Sequence, residues 1–67
     1  MPILIKLHGL NGKEFFFNAS MIFKVCARDD GGSEILDKDA DWVKVQESPD
    51  TIDLRIDKQI KNLLHGA

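Results

Sequence analysis

An Asn-Gly pair at positions 11 and 12 sits between two short apolar arms, Ile3-Leu4-Ile5-Lys6-Leu7 before it and Phe15-Phe16-Phe17 after it. Asn-Gly is the strongest short-range signal for a β-hairpin, because both central residues of a type I′ turn take positive φ. The spacing predicts a hairpin with strands over about 2–8 and 13–18. Alternation puts Ile3, Ile5 and Leu7 on one face and Leu4, Lys6 and His8 on the other, partly wet face. Three of the four phenylalanines lie in the second arm, so the core is expected to assemble around it. If Phe15 and Phe17 face one side, Phe16 faces the other, and the strand is apolar on both faces. Such a strand is normally covered on both, here by a C-terminal helix, a second subunit or another partner.

The remaining elements follow from turn residues and periodicity. Asn18-Ala19-Ser20 reads as a turn in which Asn18 or Ser20 caps a single helical turn, with Ile22 and Val25 on one side of it. Further strands are expected over about 23–28, 33–36 and 41–47. Asp29-Asp30-Gly31-Gly32 and Asp37-Lys38-Asp39-Ala40 separate them. In the last strand Val43 and Val45 take one face, and Trp42, Lys44 and Gln46 the other. Ser48-Pro49 then opens a helix expected over 49–65, with Ser as the cap and Pro at the first helical position. Asp50 and Asp53 suit the positive end of its dipole. Ile52, Ile56, Ile60, Leu63 and Leu64 form one apolar stripe, Asp57 and Lys61 are spaced to pair, and Gly66 can end the helix. The rival reading is a strand over 51–56, since Ile52, Leu54 and Ile56 alternate and Leu54 lies off the stripe. The fold class is mainly β (α+β): a small, strongly bent antiparallel sheet or open barrel of about five strands with one C-terminal helix, a single domain over 1–67.

Size and charge bound the function. A chain of 67 residues buries only about 60 % of its unfolded surface, and small chains often gain stability from disulfides, metals or oligomerisation. Cys26 is the single cysteine, so no intrachain disulfide can form; among apolar neighbours it is expected to be a buried, inert thiol. The first residues hold no long apolar run, which predicts neither a signal peptide nor a membrane span and places the protein in the cytoplasm. The formal charge of −2 argues against non-specific nucleic-acid binding. The charge is uneven, with residues 1–28 at +3 and residues 29–67 at −5. Either the later loops and helix are simply solvated, or Lys6, Lys13, Lys24 and Arg28 build a basic face on the first strands for an acidic partner.

No residue set converges on catalysis. Asp37, Asp39 and Asp41 open like a calcium loop, but the sixth and twelfth positions are Trp42 and Ser48 rather than Gly and Glu. His8, His65 and Cys26 do not make a zinc set. A Cys26–His8 nucleophile–base pair would require adjacent strands. The glycines at 9, 12, 31 and 32 have no Lys-Ser/Thr behind them and read as hairpin turns. The expectation is a non-enzyme with no cofactor, no metal and no small-molecule substrate, acting on a protein partner or on itself as a homo-oligomer. Trp42, beside Lys44 on an outward face, is the leading interaction residue unless the helix covers it. Phe16, Lys6, Lys24 and Arg28 complete the candidates.

The order of features resembles the small bacterial FlbD-type family of flagellar and swarming-motility proteins. Leu10-Asn11-Gly12, the aromatic strand 15–17 with Asn18, the spaced Ile22 and Val25, and Val45-Gln46-Glu47-Ser48 before a capped helix carry the resemblance over nearly the whole chain. The family usually has a further Gly turn between its last two strands, where this chain has Asp37-Lys38-Asp39-Ala40, and the helix here is longer. Membership would imply a motility accessory protein acting by contact, with no catalytic residues to carry over. A second resemblance, in the five short strands and the Ser48-Pro49 approach to a C-terminal helix, is to the carbon-storage-regulator family of interlocked RNA-binding dimers. It would imply an RNA- or DNA-binding regulator using a basic face on the first strands.

Overall fold

The computed structural model describes residues 2–65 of the chain. Two antiparallel sheets precede one helix. The first is the hairpin of β1 (Leu4–His8) and β2 (Glu14–Asn18); the second is the meander of β3 (Ile22–Ala27), β4 (Ser33–Asp37) and β5 (Trp42–Val45). A 3-10 turn, Ala19–Met21, links them, and α1 (Pro49–His65) follows. The sheets meet at one corner, where Gly9 bridges to Val45 and the Gln46 N–H donates to the His8 carbonyl at 2.9 Å. They do not close into a barrel, so the open form of the expected architecture is the one adopted.

All three hairpin loops have the same geometry. In each, the first residue's N–H donates to the fifth residue's carbonyl, and the fourth residue's N–H donates back to the first residue's carbonyl. The pairs are Gly9–Lys13 and Gly12–Gly9 (both 2.9 Å), Arg28–Gly32 and Gly31–Arg28 (2.9 and 3.1 Å), and Asp37–Asp41 and Ala40–Asp37 (both 3.0 Å). The fourth residue alone has positive φ: 85° at Gly12, 91° at Gly31 and 65° at Ala40. This is the three-residue loop in which a turn is followed by a left-handed residue. It replaces the type I′ turn expected at Asn11-Gly12, because Asn11 keeps negative φ and its Oδ1 accepts from the Lys13 N–H at 3.0 Å.

Cross-strand pairs build the core. Ile5 faces Phe17, Leu7 faces Phe15, and Val25, Ile35 and Val43 line up across the meander. Ile5, Leu7, Ile35, Val45 and Ile52 are buried, with Phe15, Phe17, Ile22, Val25, Val43 and Ile56 packed around them. Gly32 is buried where a Cβ would run into the Val45 carbonyl oxygen, which is why the meander needs glycine after its own left-handed Gly31. Asn18 ties the hairpin to the turn: its Oδ1 accepts from the N–H groups of Ile3 and Ser20 and from the Ser20 hydroxyl.

The helix forms over the whole expected span, not as a strand over 51–56. Ser48 Oγ accepts from the Thr51 N–H at 3.2 Å, Asp50 lies in the first turn, and Asp57 pairs with Lys61 at 3.0 Å. The assignment of Gly66 as its stop lies outside the described residues. The apolar stripe is only half used. Ile52 is buried and Ile56 half-buried, whereas Ile60, Leu63 and Leu64 are exposed. A 17-residue helix is about 25 Å long, and the small sheets cover only its first turns. The radius of gyration, 11.8 Å, accordingly exceeds the ~11 Å typical of a compact chain of this length. Cys26 is half-buried rather than buried. It sits on β3, in a different sheet from His8 on β1, so the adjacency that a Cys26–His8 pair requires is not met.

Candidate interaction surface

The surface begins with a buried carboxylate. Glu47 follows β5, and its side chain is only 5 % exposed. Its Oε1 accepts from the His8 N–H at 2.9 Å, and its Oε2 from His8 Nδ1 at 2.6 Å and Arg55 Nη1 at 2.7 Å. Burial pushes the carboxyl up. The hydrogen bonds from the His8 ring, the His8 backbone and Arg55 outweigh it and hold the pKa at about 2. Arg55 Nη1 also donates to the Lys6 carbonyl, and the buried Ser33 hydroxyl donates to the Glu47 carbonyl at 2.8 Å. One carboxylate thus joins β1, the β5–α1 connection and α1, and fixes how far the helix stands from the hairpin.

That spacing leaves an open groove of about 310 Å³ between the outer side of the hairpin and the helix. Leu4, Lys6 and Phe16 line the hairpin side; Arg55, Lys58, Gln59 and Asn62 line the helix side. Phe16 is 67 % exposed, so the helix flanks it without covering it, contrary to the expectation that such a strand is covered on both faces. The helix has turned its apolar stripe toward Ile5 and Leu7 instead. The Lys6 ammonium lies 5.9 Å from the Phe16 ring centre, within cation–π range, and 3.4 Å from Glu14.

The other candidates lie on the second sheet. Lys24 stands over the Trp42 ring at 6.0 Å, and the register brings both to Leu36. Trp42 is half exposed on the outward side of β5 and is not tucked under the helix. Lys44 pairs in register with Glu34, and Arg28 is engaged by Asp30 and Glu34 at 3.3 and 3.6 Å. The candidate cations are therefore divided between two sheets, and a single basic face on the first strands does not form. Asp37 Oδ1 accepts from the N–H groups of Asp39 and Asp41, so the acidic triplet serves its own turn.

Sequence reasoning missed Arg55, Lys58, Gln59 and Asn62. Their signal was present as an i, i+3, i+4, i+7 set beside the apolar stripe, which puts them on one helix face. No family model matches the chain, and neither a curated protein nor a solved structure matches it.

Proposed function

We propose that this chain is a small non-catalytic binding module that works through contact with another protein. One observation supports this most. Each sheet leaves a large aromatic side chain open to solvent beside a lysine, Phe16 with Lys6 and Trp42 with Lys24. Exposed aromatic anchors with a polar rim are the composition of contact surfaces. The resemblance to FlbD-type proteins would make the partner part of a bacterial motility system.

The alternative is a nucleic-acid regulator, since lysine–aromatic pairs also suit stacked bases. Against it stand the net charge and the separation of the basic residues into two sheets. Photo-cross-linking from p-benzoylphenylalanine at position 16, in the cells that make the chain, separates the two. Adducts removed by protease and insensitive to nuclease are expected, and Phe16→Ser should leave cooperative unfolding in place, since an exposed side chain contributes within about 0.5 kcal/mol. Nuclease-sensitive adducts, or tight RNA binding that falls steeply with salt, would overturn the reading.

A further inference from the structure

We infer that the groove between β1 and α1 takes an extended, acidic peptide segment, which adds to the free edge of β1. The inference rests on the protein-contact reading and names the partner's chemistry. In β1 the backbone groups of odd-numbered residues face β2, as shown by the Ile3 carbonyl accepting from Ala19 and the Gly9 N–H donating to Lys13. Antiparallel alternation therefore turns the groups of Leu4, Lys6 and His8 the other way. The protein already uses part of that edge: the His8 N–H and carbonyl bond to Glu47 and Gln46, and the Lys6 carbonyl to Arg55. Among the described residues nothing pairs with the Leu4 N–H, the Leu4 carbonyl or the Lys6 N–H. Both residues line the groove, and an unpaired edge of this kind is a template for an added strand.

The side chains choose the occupant. Among the described residues no carboxylate lines the groove, and three cations do. Lys6 and Arg55 are partly neutralised by Glu14 and Glu47. Lys58 has no carboxylate within salt-bridge distance among the described residues. An added strand would set alternate side chains against Leu4 and the stem of Lys6 on one side and toward Lys58 on the other. Short apolar residues alternating with Asp or Glu meet both demands. A second copy fits poorly, because a two-fold axis at this edge would set Lys6, Arg55 and Lys58 against themselves. The groove is lined by eight residues, which also falls far short of the roughly 20–30 residues a side of a stable dimer interface. A nucleic-acid strand is disfavoured by the formal net charge of −2.

The test is an amide-resolved NMR titration of the ¹⁵N-labelled chain with acetyl-Glu-Val-Glu-Val-Glu-amide. Expected are saturable shifts and slowed exchange at the Leu4 and Lys6 amides. The same peptide N-methylated at all five residues, which keeps its charge and cannot donate along either strand edge, should bind about tenfold more weakly or worse. The Lys-Val-Lys-Val-Lys counterpart should leave both amides unmoved. Lys58→Glu should weaken binding about fivefold or more without moving the unfolding midpoint. Equal binding of the N-methylated peptide, tighter binding of oligouridine at the same amides, or dimerisation through Leu4 and Lys6 would each overturn the inference. So would unmoved amides at millimolar peptide. Protease-sensitive adducts from position 16 together with unmoved amides would sink the strand-addition inference alone; absence of protein adducts would sink the contact reading with it.

Discussion

Replacing Glu47 by Gln is the perturbation that most directly tests how this small chain is held together. The substitution keeps the shape and removes the charge. It also presents an amide N–H₂ where His8 Nδ1–H and Arg55 Nη1–H now donate to Oε2. The wild-type carboxyl falls from an ordinary value near 4.5 to about 2 on folding, which is worth roughly 3 kcal/mol. Solvent screens part of that, because the His8 and Arg55 side chains are themselves about a third exposed, which leaves about 1–3 kcal/mol. A chain of this length has a total stability of roughly 3–10 kcal/mol, so Glu47→Gln should remove a substantial part of it and lower Tm by about 5–20 °C. The sign with pH follows from the depressed folded-state pKa. The contribution is complete above about pH 4.5 and is lost as pH falls toward 2. Urea unfolding followed by Trp42 fluorescence, for both proteins from pH 7 to pH 2, isolates this group from the other carboxylates by difference. The gap should be widest at pH 7 and should shrink through the window 4.5 to 2. A gap under about 0.5 kcal/mol at pH 7, or one that persists unchanged at pH 2, would refute the assignment of Glu47 as the clamp between β1 and α1.

Two further substitutions test single local arguments by urea midpoint. Ala40→Gly should stabilise the chain by about 0.5–1 kcal/mol, because φ is 65° there and relief of left-handed strain exceeds the added entropy of the unfolded state; a destabilised variant would count against the loop geometry shared with Gly12 and Gly31. Ser48→Ala should cost about 0.5–2 kcal/mol by removing the acceptor of the Thr51 N–H, and no change would mean that Ser48 does not cap α1.

Short-range signals were enough for the elements. Turn residues and side-chain periodicity act over a few positions, so five strands, the capped helix and the inward set Ile5, Leu7, Val43, Val45 and Ile52 follow from local pattern. The 3-10 turn was legible too, because Asn18 satisfies its N–H groups locally. Even so, the Asn11-Gly12 loop shows the limit of local signals: the same dipeptide suits two loop lengths, and the strand register decides between them. Which surfaces are covered is a long-range outcome, fixed by how the sheets and the helix pack. Phe16 is open because the helix spends its stripe on Ile5 and Leu7, and Ile60, Leu63 and Leu64 are open because five short strands are smaller than the helix they support. The groove is a tertiary product as well. It needs the edge of β1, residues 49 positions later in the chain, and Glu47 drawing His8 and Arg55 together. A lysine's neighbours in sequence cannot show whether a carboxylate stands beside it in space, and that distance separates the paired Arg28 from the open Lys58.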